Sequence, residues 1–308
     1  MDGTPQLQLS ITSPWQCTLK APIGCVGIGL HSGRRINLTL CPAEPGHGIV
    51  FRRTDLGRDI PARFDRVVDT RLATVLGDDS WASARVGTVE HLMAALSALA
   101  IDNLRIELDG PEIPALDGSA APFVFLLDCA GVVEQSAVRS QIHIRRPVRV
   151  SDGDGFAELR PAGPGQTGLE MAISIDFAAA AIGRQALSLR LTPDSFRQEL
   201  ARARTFTLAE DVAQLRAAGL AQGGSLENAV VVDRARVLNP GGLRMQDEFA
   251  RHKLLDAVGD LALAGAPLCG RFVAHRSGHG LNNRLLRALF ADRSAWREVD
   301  AAPVPAAA

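Results

Sequence analysis

The chain has 308 residues, of which 46% are hydrophobic and 22% charged, and its formal net charge is −1. This composition is typical of a globular protein with one large or two ordinary domains, and the near-neutral charge argues against a nucleic-acid-binding protein, which carries a basic excess. No apolar run approaches membrane-spanning length, and residues 1–4 lack the basic and apolar regions that begin a signal peptide.

The first half of the chain predicts strands followed by helices. Alternating apolar and polar residues indicate the strands, and apolar residues at i, i+3, i+4 and i+7 indicate the first helix. After an irregular start at 1–16, the predicted elements are strand segments over 17–40 around a glycine-punctuated turn at 25–33, strands at 48–53 and 71–76 separated by a polar excursion at 54–70, a helix at 88–100, a strand at 104–108 and a helix at 123–129.

The second half repeats this order. Its predicted elements are strands at 142–150, 155–160, 169–177 and 186–191, helices at 192–203 and 209–218, a strand at 229–233, a sharp turn at 239–242, a helix at 247–264, a strand at 272–275, a helix at 282–290 and a frayed Ala/Pro-rich tail after Val299. Strands followed by helices, twice over, predict an α+β protein of two similar domains, each a sheet packed against helices. We place the domains at 1–138 and 139–308.

The predicted helix at 247–264 carries the first candidate site. His252 and Asp256 lie one helical turn apart, so an imidazole nitrogen and a carboxylate oxygen can converge on one point. Both are Zn²⁺ ligand types, and a catalytic zinc site needs three protein ligands with an open position for water. Since the spacing is short and common, the alternative is a solvated helix face or a local hydrogen bond.

Glu90 and His91 begin the predicted helix at 88–100. A metal-binding His beside a Glu that accepts a proton from water is an arrangement used by zinc hydrolases. His91 is therefore a candidate third ligand and Glu90 a candidate base. The alternative is an ordinary helix start, where the helix dipole favours an acidic residue and the His is incidental.

Two further segments carry candidate groups. His279 lies between two glycines, which leave its imidazole accessible to stabilise an oxyanion or to protonate a leaving amine, and Asp260 is placed to orient it. Thr205 follows a predicted helix and offers a hydroxyl to an oxyanion. The alternatives are a flexible surface loop for His279 and a helix-capping turn for Thr205.

The cysteine and lysine content limits which side chains can bind a metal and singles out one lysine. The five cysteines are scattered and form no C-x-x-C pair, which predicts reduced thiols and a cytoplasmic protein and leaves His and carboxylate side chains as the metal ligands. Lys20 and Lys253 are the only lysines among 33 basic residues. Lys253 is thus a rare residue type directly beside a candidate ligand.

Six motifs occur in one order along the chain and together cover about residues 16–290. They resemble those of the UDP-3-O-acyl-N-acetylglucosamine deacetylase family, the zinc amidases of lipid A biosynthesis in Gram-negative bacteria. The motifs are Gly29-Leu30-His31-Ser32-Gly33, Thr88-Val89-Glu90-His91-Leu92, Asp117-Gly118-Ser119-Ala120, Ala203-Arg204-Thr205-Phe206, His252-Lys253-Leu254-Leu255-Asp256 and Ser277-Gly278-His279.

The resemblance implies a role for each candidate group and an active site at the domain interface. His91, His252 and Asp256 would hold Zn²⁺. The acid–base and oxyanion roles would fall to Glu90, which takes a proton from the attacking water, to Thr205, and to His279 held protonated by Asp260. Whether Glu90 alone serves as base and acid, or shares the work with His279, stays open at this point.

The resemblance also implies the substrate contacts. Lys253 would reach the diphosphate, Phe206 would wall the site, and His31 and Leu208 are further contacts. Residues 207–239 would form a β-α-β insert whose apolar lining passes the acyl chain. At Leu208 the family often has an aromatic residue, so the preferred acyl chain does not follow from the resemblance.

Other functions are compatible with part of this pattern. A related zinc amidase would act on a different N-acylated sugar or amine, and a catalytically inactive zinc-binding relative would lack Glu90 or His279, both of which are present. The chain length also argues against a fused dehydratase domain. The implied partner is a glycolipid nucleotide, with no nucleic acid and no integral membrane segment, and we expect a monomer because no long apolar helix face is left over.

Overall fold

The structure, a computed structural model, describes residues 13–78 and 81–301. The expectations for residues 1–12 and for the tail from residue 302 onward fall outside the described residues. Among the described residues no helix combines the length and the apolarity needed to cross a membrane.

The helices of the described residues agree with the predicted positions to within a few residues. The third continues directly as a π-helical turn over Phe196–Leu200, and a short 3₁₀ turn covers Phe64–Arg66. The helices are α1 (Glu90–Ala98), α2 (Ala121–Ala130), α3 (Pro193–Ser195), α4 (Ala209–Ala217), α5 (Glu248–Ala262) and α6 (His279–Ala291).

In the part of the chain that the structure describes, the strands form two large sheets and three small ones. In chain order they are β1 (Trp15–Leu19), β2 (Ile23–Ile28), β3 (Arg35–Pro42), β4 (Ile49–Arg53), β5 (Arg58–Pro61), β6 (Val67–Asp69), β7 (Val75–Asp78), β8 (Trp81–Val86), β9 (Leu104–Leu108), β10 (Val132–Val138), β11 (Ser140–Ile144), β12 (Val148–Asp152), β13 (Gly155–Arg160), β14 (Leu169–Asp176), β15 (Arg184–Arg190), β16 (Phe206–Leu208), β17 (Val230–Asp233), β18 (Arg236–Val237), β19 (Leu268–His275) and β20 (Trp296–Asp300).

The first half of the chain builds a five-stranded sheet in the order β2-β3-β9-β4-β5. Only β4 and β9 are parallel, and the other pairs are antiparallel. On β3 the residues Ile36, Leu38 and Leu40 are buried and alternate with more exposed neighbours, as period-2 side-chain geometry requires of a sheet with one covered face. The strands β6, β7 and β8 form a separate small sheet.

The second half builds a seven-stranded mixed sheet from β11 to β15 with β19 and β20. Its strand β14 buries Leu169, Met171, Ile173 and Ile175, and α5 packs on β14 and β15 while α6 packs on β12 and β13. The molecule therefore has two sheet-rich halves in an α+β arrangement, which confirms the predicted fold class. The division at 138/139 stays a prediction.

Two helices, one from each half, pack directly on each other and position the site. All of α1 except Ser97 is buried, and its largest set of contacts is with α5. Gly259 of α5 lies where the helices meet. The helices are so close there that a Cβ at this position would overlap the carbonyl oxygen of Glu90. This close approach brings the first turn of α1 against the middle of α5.

Residues 206–237 form a smaller unit beside these helices. The parallel strands β16 and β17 are joined through α4, and β18 pairs with β17. No residue of α4 is buried. This is a β-α-β connection, the arrangement expected for an insert in this part of the chain.

Several sequence predictions were wrong in detail. The polar excursion at 54–70 contains β5, the 3₁₀ turn and β6, and β8, β10, β18 and β20 were not predicted. The strand predicted at 71–76 begins only at Val75, and β20 extends past Val299, where the tail was expected to fray. Few residues of the unpredicted strands are buried, so the sequence shows little of the alternation of buried residues that reveals a strand.

Candidate metal centre and active site

A cavity of about 220 Å³ lies at the junction of α1 and α5. It brings together candidate residues from four of the six sequence motifs, which are far apart in the chain. The lining residues are Leu72, Glu90, His91, Phe177, Thr205, Phe206, His252, Lys253, Asp256 and His279.

His91, His252 and Asp256 form a compact, buried group in this cavity. One potential ligand atom from each lies within 4.8 Å of the others. The Nε2 atoms of His91 and His252 lie 3.6 and 3.2 Å from Oδ1 of Asp256. Two imidazoles and a carboxylate are the ligand types of catalytic zinc sites, so the donor set fits a divalent transition metal.

The hydrogen bonds around this group favour a cation at its centre. Nδ1 of His252 lies 3.0 Å from the carbonyl oxygen of Ala203 and must donate to it, because a carbonyl only accepts. The Nε2 atom of a neutral His252 then presents a lone pair to Oδ1 of Asp256, which is buried and has no hydrogen-bond partner among the described residues. A buried polar atom without a partner is costly, and a bound metal ion would satisfy both acceptors.

The electrostatics also prepare both groups as ligands. Burial lowers the pKa of His252 to about 4, so its imidazole is neutral at physiological pH. Burial alone would raise the pKa of Asp256, but the neighbouring Lys253 ammonium, with His91 and His279, outweighs it and holds that pKa well below its usual range. A neutral imidazole and an ionised carboxylate are the forms that bind metal.

Glu90 is a buried carboxylate that lines the same cavity as the His91/His252/Asp256 group. It is buried at the first position of α1, and its Oε2 accepts a 3.0 Å hydrogen bond from the backbone N–H of Thr74. Burial raises the pKa of Glu90 above its usual value. A carboxylate with a raised pKa is suited to exchange protons with a substrate near neutral pH.

His279 is the first residue of α6 and is buried, so the alternative of a flexible surface loop is wrong. Its Nδ1 lies 2.9 Å from Oδ2 of Asp260. Burial lowers the pKa of His279, but Asp260 more than compensates and raises it to about 9. The imidazole is therefore a cation at neutral pH, next to the cavity that Glu90 also lines.

Thr205 and Phe206 are fixed by backbone hydrogen bonds and aromatic packing. The N–H of Thr205 donates to Gly118 and its carbonyl accepts from Val230, at 2.9 and 2.7 Å. Thr205 therefore lies in a connection between elements and does not cap a helix. The ring of Phe206 packs edge-on against Phe249, with centroids 4.9 Å apart.

Of the three remaining candidate residues, only Lys253 lines the cavity. Lys253 is in the cavity, and its Nζ lies 2.9 Å from Oδ2 of Asp256. Leu208 and His31 do not line the cavity. Leu208 ends β16 half-buried, and His31 lies in the 29–33 turn, where its Nδ1 is buried without a hydrogen-bond partner.

The structure adds residues that sequence reasoning missed. Leu72 and Phe177 line the cavity, and Ala203 supplies the carbonyl that orients His252. Thr74 and Asn282 donate to the two oxygens of Asp260, at 2.5 and 2.8 Å. Ala203 lies inside a recognised motif, whereas Leu72, Thr74 and Phe177 carry no sequence signal because their contacts are long-range.

An α+β fold with a buried His/His/Asp group, a neighbouring carboxylate and a cationic imidazole has the site of a metal-dependent hydrolase. Comparison with known sequences agrees. The family model of UDP-3-O-acyl N-acetylglycosamine deacetylases matches residues 16–291, and the chain belongs to this family.

Individual relatives are similar over nearly the whole chain. A protein named UDP-3-O-acyl-N-acetylglucosamine deacetylase from Myxococcus xanthus (strain DK1622) is 52% identical over 288 residues, which cover 93% of this chain and 90% of the relative. Proteins of the same name from Anaeromyxobacter dehalogenans (strain 2CP-C) and Shewanella sp. (strain W3-18-1) are 50% and 48% identical. The alignments cover 92% of this chain in both cases, and 90% and 92% of the respective relatives.

Proposed function

We propose that this chain hydrolyses the acetamide of UDP-3-O-acyl-N-acetylglucosamine to UDP-3-O-acyl-glucosamine and acetate, an early step of lipid A biosynthesis. Family membership supports the substrate, and the His91/His252/Asp256 group supports a metal-dependent reaction. The observation that carries the proposal is the unpartnered Oδ1 of Asp256 facing Nε2 of His252. We place the enzyme in the cytoplasm as a zinc-dependent monomer.

In this proposal, His91, His252 and Asp256 would hold Zn²⁺. When bound there, the ion would supply Lewis acidity, which would activate water as a nucleophile and polarise the amide carbonyl. The protein supplies a neutral His252, an ionised Asp256 and a buried setting for the group. Since α1 and α5 both contribute ligands, the site depends on their packing.

The proton transfers fall to Glu90 and His279. Glu90 accepts a proton from the water that attacks the acetamide carbon, for which its raised pKa is suited. The amine leaves with a proton supplied by Glu90 or by His279, both of which line the cavity. The hydroxyl of Thr205 and the imidazolium of His279 stabilise the negative charge on the former carbonyl oxygen.

Substrate binding is assigned to residues around this centre. Lys253 reaches the diphosphate, and Phe206 forms an apolar wall between the metal-ligand group and Phe177. The acyl chain follows the unit at 207–239, with Leu208 and His31 as further contacts. A diphosphate needs a cation and an acyl chain needs an apolar surface, and these residues provide both.

The test measures bound zinc and acetate release from UDP-3-O-acyl-N-acetylglucosamine. We expect about one zinc per wild-type chain together with turnover. His252→Ala removes a ligand and should lose zinc. Glu90→Gln keeps the ligands and should retain zinc with kcat lowered on the order of 100-fold or more, because the base is lost.

Asp102→Asn is the matched control, since Asp102 is another mostly buried carboxylate and does not line the cavity. It should keep both zinc and kcat. If the protein binds zinc but turns over only a different N-acylated sugar or amine, the proposed substrate is wrong. If it binds zinc and turns over neither substrate, the chain is a metal-binding protein without this activity. Wild-type protein that binds no metal would refute the mechanism.

A further inference from the structure

Glu112 is a buried carboxylate outside the cavity that connects two motifs. It is 4% exposed and accepts hydrogen bonds from the backbone N–H groups of His31 and Ser32, both at 2.9 Å, and from Oγ1 of Thr88 at 3.0 Å. Within 13–78 and 81–301 it forms no ion pair. A buried charge held only by neutral donors is costly, which suggests that Glu112 serves a specific purpose.

Thr88 is held in a conformation that its side chain disfavours. Its φ is +56°, in the left-handed region, where a β-branched residue is a strained outlier. Such a conformation persists only when its surroundings enforce it. The hydrogen bond from Oγ1 of Thr88 to Glu112 is one such constraint, and Thr88 is itself buried.

This conformation sets where α1 begins. Thr88 is two residues before Glu90, and the preceding Gly87 forms a β-bridge to Glu112. The backbone hydrogen bonds of this bridge join Gly87 to Pro111 and Ile113, on either side of Glu112. The chain therefore turns into α1 directly after a backbone contact with this segment and the side-chain contact from Thr88 to Glu112. A change in the turn at Thr88 would displace Glu90, whose carboxylate must lie within hydrogen-bond reach of its proton donor.

The hydrogen bonds from His31 and Ser32 to the Glu112 carboxylate fix the 29–33 turn. The space there is tight, because a Cβ on Gly29 would lie 2.5 Å from Oε2 of Glu112. The same turn accepts backbone hydrogen bonds from the loop before β17, from Gln222 to His31 at 3.2 Å and from Gly223 to Leu30 at 3.0 Å. Glu112 thus joins the loop of the 207–239 unit to the start of α1.

We propose that Glu112 is a positioning residue that locks the left-handed turn at Thr88 and thereby sets the position of Glu90 relative to the 29–33 turn. The inference rests on the proposed function for the role of Glu90, but the lock itself is a property of the fold. Glu112 does not line the cavity, and its side chain bonds to His31, Ser32 and Thr88 rather than to His91, His252 or Asp256. It acts through Thr88.

Variants at Thr88 separate the hydrogen bond to Glu112, which we call the lock, from the left-handed conformation that this bond enforces. Thr88→Ser keeps the hydroxyl and should keep kcat within about threefold. Thr88→Ala loses the hydroxyl and still disfavours positive φ, so kcat should fall. Thr88→Gly also loses the hydroxyl but adopts positive φ without strain, so its kcat should exceed that of Thr88→Ala.

Glu112→Gln tests the residue directly. It places an amide NH₂ against hydrogen-bond donors, so we expect kcat to fall about 10- to 100-fold with bound metal unchanged, since a shift of about 1 Å at a reacting group has an effect of that order. Adding Thr88→Gly to Glu112→Gln should restore kcat at least fivefold. A residue that merely supported stability would show no such rescue.

Hydrogen exchange on the metal-loaded enzyme supplies a readout independent of activity. Glu112→Gln should speed exchange at the amides of His31 and Ser32 and in the first turn of α1, and Thr88→Gly should reverse the change in α1 alone. The lock is refuted if these amides are unaffected, or if Thr88→Gly matches Thr88→Ala in kcat. If the wild type releases no acetate, the proposed function fails, and the exchange data still decide whether the lock exists.

Discussion

Thr74 joins the two halves of the proposed acid–base pair. Its backbone N–H donates to Oε2 of Glu90, and its hydroxyl donates to Oδ1 of Asp260, the carboxylate that holds His279. Thr74 is 2% exposed, so neither contact competes with bulk water. One small residue therefore fixes the base and the partner of the imidazolium relative to each other.

Removing only the hydroxyl of Thr74 should impair turnover. Thr74→Val keeps the shape and the backbone contact to Glu90 but leaves Asp260 without one donor. A hydrogen bond to a charged group contributes about 1.5–3 kcal/mol, so we expect kcat to fall about 10- to 100-fold, with KM changing less. Thr74→Ser restores the donor and should recover most of the kcat.

Thr18→Val is the control for this experiment. The hydroxyl of Thr18 is also buried and hydrogen-bonded, in its case to the carbonyl of Asn103, and it does not line the cavity. Its loss should lower the melting temperature and leave kcat unchanged. Equal kcat losses in both variants would mean that Thr74 affects only folding.

The ionisable groups of the site could be predicted from sequence, and the groups that hold them could not. His252 and Asp256 are four residues apart on one helix, so their convergence follows from helix geometry. The contact of Thr74 with Asp260 spans 186 residues, and that of Glu112 with His31 spans 81. No local pattern encodes such contacts, because they depend on how elements pack.

At the scale of elements, the crossing of α1 and α5 depends on one glycine. Glycine inside a helix costs about 1 kcal/mol relative to alanine, so Gly259 is unfavourable for α5 alone. It is favourable for the pair, because it lets the helix contact the backbone at Glu90. This contact brings His91 of α1 within reach of His252 and Asp256 of α5.

Gly259→Ala should force the two helices apart. The added Cβ meets backbone, which cannot rotate away, so we expect a loss of about 3 kcal/mol in unfolding free energy and weaker metal binding. Denaturant unfolding of the metal-free protein and competition with a metal chelator measure the two effects. Gly241→Ala, where nothing lies within 4 Å of the added Cβ, should be neutral, and a neutral Gly259→Ala would contradict the close crossing.

Strongly patterned elements were predictable and weakly patterned ones were not. The strand β9 begins and ends where its alternation does, β13 covers its predicted range, and α5 lies inside its predicted range. The strand β8 buries only Ala84 and Val86, and its pairing with β7 is irregular. Such strands form because a neighbouring strand offers hydrogen bonds, which sequence periodicity does not reveal.

At the scale of the whole molecule, the metal-ligand group lies between the two sheet-rich halves. His91 comes from α1, which follows the strands of the first half, whereas His252 and Asp256 come from α5, which packs on the second sheet. A metal ion bound by all three would link the halves directly. Metal binding should therefore stabilise both halves together.

Calorimetry with and without zinc tests this coupling. A ligand at 100 times its Kd stabilises the native state by about 2.7 kcal/mol, which corresponds to a shift of roughly 5 °C for a chain of this size. We expect a single transition that moves upward as a whole on adding zinc and returns with a chelator. His252→Ala should show one transition that zinc does not shift. Two transitions, of which zinc moves only one, would mean that the halves unfold separately and that the ion stabilises only one of them.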